Sequence, residues 1–250
     1  MIRVSMQYFG QGSSGKRGSG AKKSGGSAPP ASQPQSGMER IQNMSDDEFD
    51  NYLNSLSNQY GYPALKGKGY YLRNGTQAVV ADLGLNDKPT VVQKGQVNQI
   101  AKQNGTPVMY RGVTGNTKAN MTSEDIAKQM MYDPLNRLGG GYYGDGFYFS
   151  NRKITAQSYA VGGTVVKATL SPNAKVIDYN TVATEVFNYK ATHRNSNINF
   201  ASLGRSSQWG NVGESIMALR KGYNVIRMPV TGGENFYIVI DRSALVVEEV

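Results

Sequence analysis

Apolar positions along this chain switch between helical spacing and strand alternation, and the switches mark its elements. Ser45-Asp46-Asp47-Glu48 forms a capping-box pattern, with Phe49, Tyr52, Leu53 and Leu56 following at helical spacing. Gly61-Tyr62-Pro63 is the expected stop. Ala78–Val80 reads as a short strand. Gly95–Asn104 reads as an amphipathic helix with Val97, Ile100 and Ala101 on one side and Gly105 as its end. Pro107–Val113 reads as a buried strand, and Thr122-Ser123-Glu124-Asp125 caps a helix through Tyr132. Phe147–Ser150 is a short aromatic strand, and Ser150 is placed to cap a helix over Asn151–Ala160. Strands at Thr164–Leu170 and Lys175–Asp178 follow, then a helix at Thr181–Ala191 and another opened by Glu214. Tyr223–Met228, Phe236–Ile240 and Ala244–Val247 are three more strands, with Gly232-Gly233 turning between the first two. Many short strands with few intervening helices predict an α+β domain built on antiparallel or mixed sheets.

Composition changes the picture mainly at the N-terminal side. Residues 10–37 are almost entirely Gly, Ser, Lys, Pro, Ala and Gln, a composition that cannot bury enough apolar surface to offset its ordering entropy. The formal charge is +9, and residues 1–38 hold Arg3, Lys16, Arg17, Lys22 and Lys23 with no acid. The chain therefore divides into a disordered basic leader (1–38), a helical cap region (39–106) and a main domain (107–250). A basic arm of this kind serves either as a solubilising tether or as a contact to nucleic acid. The GxxxxGK spacing from Gly10 to Lys16 has Arg17 where a P-loop needs Ser or Thr, and no strand or helix frames it.

The chain has no cysteine, which excludes disulfides, Cys-ligated zinc and thiolate catalysis, and fits a reducing compartment. His193 is the single histidine, so most His-metal and Ser-His-Asp schemes fall away. No run of eighteen apolar residues spans a membrane. MIRVSMQYFGQG lacks a continuous apolar segment and does not read as a signal peptide. The expected setting is the cytoplasm, with no metal and no membrane partner.

Two stretches carry candidate chemistry. Arg111 stands among apolar neighbours in its strand, and arginine is seldom buried unpaired. Either a buried carboxylate balances it, or its guanidinium fork faces a phosphate, with Gly112 letting the ligand approach. The second stretch is Gly139–Ala160, where glycines feed Tyr142, Tyr143, Phe147, Tyr148 and Phe149, a composition suited to a flat-ring pocket. Gly139-x-Gly141-x-x-Gly144 matches the dinucleotide fingerprint literally. It precedes a strand instead of following one, which excludes a Rossmann reading. Tyr159 either packs in the core or offers a ring face to a ligand. The polar segment from Thr192 to Asn211, with His193 and Trp209, is long enough to suggest a function or disorder.

The order of motifs resembles the ADP-ribosyltransferase superfamily, including its phage-encoded members and the poly-ADP-ribose polymerase branch. The resemblance rests on Tyr110-Arg111-Gly112, then Gly144-Asp145-Gly146-Phe147-Tyr148-Phe149-Ser150 with Ala156 and Tyr159, then Ala218–Ile226 ahead of Asn235–Asp241. It covers roughly residues 107–247 and implies split mixed or antiparallel β-sheets with flanking helices. It also implies an NAD pocket lined by Tyr110, Arg111, Gly112, Gly146, Tyr148, Ser150 and Tyr159. Arg111 would hold the phosphate or ribose, Ser150 with Tyr148 would brace the nicotinamide ribose, and Tyr159 would stack on nicotinamide. The third motif should supply a glutamate that bonds the ribose hydroxyl and stabilises positive charge as nicotinamide leaves.

Here the sequence departs from the pattern, because Phe236 stands where the polymerase-like motif has its glutamate. Glu234 lies two residues earlier, on the same strand face if the strand extends that far. Asp241, at the other end of the strand, and Glu214, at a helix start, are the reserves; a solvated surface carboxylate or a cap is the alternative reading of each, and for Glu214 it is the plainer one. The implied activity is mono-ADP-ribosyl transfer from NAD to a macromolecule, a protein before a nucleic acid, acting on a host factor in the host cytoplasm if the chain is phage-encoded. The alternative is an inactive NAD-binding or phage-associated interaction protein on the same fold.

Overall fold

Helix boundaries follow the local chemistry closely. In a computed structural model, described over residues 37–60, 75–85, 88–116, 120–133, 145–192 and 212–250, helix α1 covers Gly37–Gln42 and α2 covers Asp46–Tyr60. Ser45 closes the expected capping box: its N–H donates to Glu48 Oε2 at 2.8 Å and its Oγ accepts from the Glu48 N–H at 3.3 Å. Phe49, Leu53 and Leu56 then turn into the core. Helix α1 starts inside the segment read as leader because Ile41 is fully buried and Met38 packs on the core. The remainder of that leader, the glycine cluster before Asp145 and the polar segment holding His193 and Trp209 lie outside the described residues.

Helix α3, Gly75–Asp82, corrects the expected strand at Ala78–Val80. An apolar run of three fits either period; here Thr76, Val79, Val80 and Leu83 supply a buried helical stripe. Strand β1, Thr90–Val92, and helix α4, Gln96–Asn104, follow, and Gly105 caps α4 through its N–H to the Ala101 carbonyl. Strand β2 is Val108–Val113, and α5, Ser123–Tyr132, carries a reciprocal Thr122–Asp125 capping box. After β3, Phe147–Ser150, helix α6 covers Lys153–Ala160. Then come β4 (Thr164–Leu170), β5 (Val176–Asp178), α7 (Tyr179–Thr192) and α8 (Val212–Arg220). Strands β6 (Val225–Val230), β7 (Glu234–Val239) and β8 (Leu245–Glu248) complete the set.

The eight strands form one mixed sheet in the order β1-β8-β4-β2-β3-β7-β6-β5. β1 runs parallel to β8 and β5 parallel to β6; the other neighbours are antiparallel. The mixed α/β architecture with flanking helices agrees with the expected class. Pairing is uneven along the sheet. β2 and β4 stay in register from Val108↔Thr169 to Val113↔Thr164, and β3 and β7 from Phe147↔Val239 to Ser150↔Phe236. β2 and β3 meet at Tyr110↔Ser150 alone. The sheet thus has two halves, β1-β8-β4-β2 and β3-β7-β6-β5, joined through that pair. Phe149, Met109, Val166, Ile226 and Ile238 are among the side chains buried between sheet and helices. Each contributes about 1.5–3 kcal/mol on leaving water.

Candidate active site

Glu234 opens β7 directly after the short 3-10 turn Thr231–Gly233, and on its other side it pairs with Val230 of β6. Phe236 sits opposite Ser150 in register, so it is a strand-pairing position. Glu234 lies two residues before Phe236 and shares its face, because side chains alternate along a strand. Its carboxylate therefore reaches diagonally to Ser150, whose hydroxyl donates to Glu234 Oε1 at 2.6 Å. The same Ser150 oxygen accepts the Arg152 N–H at 2.9 Å. Ser150 is therefore not the N-cap expected of it: α6 begins at Lys153 with Arg152 in the cap position, and Ser150 tightens the turn ahead of the helix.

Desolvation alone would raise the Glu234 carboxyl. Hydrogen bonds from the hydroxyls of Ser150 and Thr155, together with the Arg152 charge, outweigh it and hold the carboxyl below the ordinary glutamate value. At neutral pH Glu234 is an anion with two hydroxyl donors on it. An anion so placed, half-exposed and with acceptor capacity left over, can take a hydrogen bond from a ligand hydroxyl and oppose positive charge forming beside it.

Arg111 is half-buried on β2 next to the junction of the two half-sheets. Its Nη1 donates to the Tyr148 carbonyl at 3.0 Å, and its guanidinium stands 5.7 Å from the Phe147 ring centre. Burial pushes it down to about 10, so it stays protonated at neutral pH. Among the described residues no carboxylate bonds it. The fully buried Arg242 approaches the same Phe147 ring at 5.8 Å and donates to the Met130 carbonyl at 2.7 Å.

The aromatic candidates occupy two elements. Tyr110 pairs with Ser150 across the junction, and Tyr148 alternates onto the Ser150 face of β3; both are half-buried. Tyr159 is 67% exposed on α6, one turn beyond Thr155 and on the same helix face. The glycines have packing duties. A Cβ on Gly112 would stand 2.0 Å from the Ala156 carbonyl oxygen, so the bare backbone of Gly112 is what lets α6 close on β2. A Cβ on Gly146 would meet Ile238 Cγ2 at 2.6 Å, beneath β7.

The reserve carboxylates lie elsewhere. Asp241 is buried past the far end of β7, where it accepts from the Ser243 N–H at 3.1 Å and the Ser243 hydroxyl at 2.7 Å. That end is about 20 Å along the strand from Glu234. Glu214 is buried in the first turn of α8 beside Asp145, at the opposite end of β3 from Ser150. The structure thus brings Glu234, Ser150, Tyr110 and Tyr148 to one face at the meeting of β2, β3 and β7, while Arg111 alternates to the opposite face beside Phe147, and Asp241 and Glu214 lie elsewhere.

Sequence reasoning did not single out Asn151, Arg152 and Thr155. They carried no signal of their own: a polar pair after a strand and a threonine in a first helical turn are commonplace. Their partners lie on the β6–β7 turn and on Glu234. Among the described residues no group of three or more His, Asp or Glu is gathered for a metal, and no helix is long and apolar enough to cross a membrane. No protein-family model, curated protein or solved structure matches this chain.

Proposed function

We propose that this chain is a mono-ADP-ribosyltransferase: it cleaves the nicotinamide–ribose bond of NAD and passes ADP-ribose to a macromolecular acceptor, a protein before a nucleic acid, in the cytoplasm. The observation that carries the reading is the 2.6 Å bond from Ser150 to an ionised Glu234. It joins the second and third motifs of the sequence resemblance in one site and replaces the glutamate absent at Phe236. The residues suit the dinucleotide chemically. Protonated Arg111, with no carboxylate bonded to it among the described residues, suits a diphosphate. Tyr148 and Tyr159 supply ring faces, and Glu234 supplies the acceptor for a ribose hydroxyl.

When bound, NAD supplies a nicotinamide leaving group that departs with the electron pair of its bond to ribose. Glu234 holds a ribose hydroxyl and opposes the positive charge developing on the sugar. Ser150 and Thr155 keep the Glu234 carboxylate ionised and aimed. Arg111 is proposed to take the phosphates where the two half-sheets part, from the β2 face opposite Glu234.

Incubating the protein with NAD labelled in its adenylate half, with and without a cell lysate, tests the reading. Nicotinamide release and label transfer, both lost in Glu234→Gln, are expected. If the protein binds NAD yet releases no nicotinamide, the inactive-domain reading favoured by Phe236 replaces it. Absence of both binding and release removes NAD from the account.

A further inference from the structure

Three consecutive residues at the end of β3 put side chains onto one short segment of the β6–β7 connection. Ser150 takes the Glu234 carboxylate, and Arg152 Nη2 donates to the Gly232 carbonyl. Between them Asn151 brackets Glu234 on both sides. Its Oδ1 accepts the Asn235 N–H at 2.9 Å, its Nδ2 reaches the Gly233 carbonyl at 3.4 Å, and its own N–H donates to the Asn235 carbonyl at 3.1 Å.

The bracket matters because of what precedes Glu234. Gly232 and Gly233 both have positive φ, 79° and 76°, and a Cβ on Gly233 would meet nothing within 4 Å. Two such glycines have wide backbone freedom, and no side chain of their own restrains the turn. The β3–β7 ladder does not reach Glu234 either, since its register ends at Ser150↔Phe236. On the β3 side, the peptide groups flanking Glu234 are therefore held by Asn151.

We propose that Asn151 is a positioning residue for the Glu234 carboxylate, an inference that rests on the catalytic role given to Glu234 above. By fixing the peptides before and after Glu234, Asn151 sets where its side chain starts, so that Ser150 and Thr155 find its oxygens. Losing the bracket leaves the glycine turn held by the Arg152–Gly232 bond and the Val230 pair, with no restraint on the β3 side of Glu234, and spreads the carboxylate over several positions, while Arg111 stays as it is.

The test uses the full chain, Asn151→Ala and Asn151→Asp, with three readouts: steady-state nicotinamide release, thermal unfolding, and a 13C-carboxyl NMR titration of Glu234 assigned with Glu234→Gln. Asn151→Ala is expected to lower kcat about 10–100-fold with KM for NAD within about threefold, the size of effect that misplacing a reacting group by about 1 Å produces. The Glu234 carboxyl titration moves up toward the ordinary value as its donors loosen. Asn151→Asp keeps the acceptor for the Asn235 N–H, so it recovers most of kcat above neutral pH, while its added charge shifts the acid limb of the rate profile upward. An Asn151→Ala protein with wild-type kcat and an unchanged Glu234 titration overturns the proposal. If the wild-type protein releases no nicotinamide, the transferase reading falls, and the titration comparison still decides whether Asn151 positions Glu234. If Asn151→Ala does not fold, Asn151→Ser, whose side chain is too short to hold both peptides, carries the same comparison, and wild-type kcat with an unchanged Glu234 titration in it overturns the proposal.

Discussion

Ser150 and Glu234, 84 positions apart in sequence, share a 2.6 Å hydrogen bond across the end of the β3–β7 pair. On the role proposed for Glu234, the bond should make the acid limb of nicotinamide release depend on Ser150. A glutamate held below its ordinary value is ionised, and its interactions stabilise the fold, above the unfolded-state value; that contribution is lost as pH falls through the lower, folded-state value. Ser150→Ala removes one donor and raises the Glu234 carboxyl, so nicotinamide release should begin to fail at a higher pH than in the wild type. At pH 7.5 we expect kcat to drop about 10–100-fold, since a lost donor to a charged group is worth about 1.5–3 kcal/mol. Rate–pH profiles of the two proteins check this; superimposed acid limbs would sink it.

Arg111 gives a prediction about binding. Arg111→Lys keeps a positive charge but loses the planar fork and the contact with Phe147. Arg111→Met keeps the bulk and loses the charge. Calorimetric titration should show NAD binding weakened about tenfold by Lys and about 100-fold by Met, the range expected for charge-assisted hydrogen bonds. Equal affinity in all three proteins would place the phosphates elsewhere.

Gly112 gives a prediction about stability. A methyl group there overlaps the Ala156 carbonyl, and backbone cannot step aside as a flexible side chain could. Gly112→Ala should cost about 1–3 kcal/mol by overpacking. For a domain of this size that lowers Tm by roughly 2–12 °C. Because α6 also carries Thr155, nicotinamide release should fall along with Tm. A scan that finds Tm unchanged would mean that α6 does not press on β2.

Asp145 gives a prediction about pH. Burial raises its carboxyl, the Thr76 hydroxyl at 3.0 Å lowers it, and the nearby Glu214 charge raises it again, for a net value of about 6. With a folded value above the unfolded one, the stabilising protonated form is fully present below the unfolded value and is lost as pH rises through about 6. Asp145→Asn stays neutral and can still accept from Thr76. Urea unfolding should show the Asp145→Asn protein ahead of the wild type by roughly 1–3 kcal/mol at pH 8, with the gap closing by pH 4. A gap that does not change with pH would remove the buried charge from the account.

Features written within four residues of sequence were legible before the structure. The Ser45–Glu48 and Thr122–Asp125 caps are of this kind, and so is the face shared by Glu234 and Phe236, because alternation is a local rule. Features decided by distant partners were not. Ala78-Val79-Val80 suits a strand as well as a helix until Thr76 and Leu83 are seen buried on the same stripe. β1 is a three-residue strand whose existence depends on its pairing with β8. Ser150 read as a helix cap because its other partner, Glu234, comes from another strand.

The order of strands also sets when the site can exist. The half-sheet that carries Glu234 is built from β3, β5, β6 and β7, all made before residue 240. The half that carries Arg111 has β8 between β1 and β4, so β1 waits for residues 245–248 before it has a neighbour. Domains form from their N-terminal side as synthesis proceeds, and pairings between distant segments come late. A nascent chain that has already made Arg111, Ser150 and Glu234 still lacks the strand that joins β1 to β4. Completion of the outer half-sheet is thus tied to four residues, Leu245–Glu248.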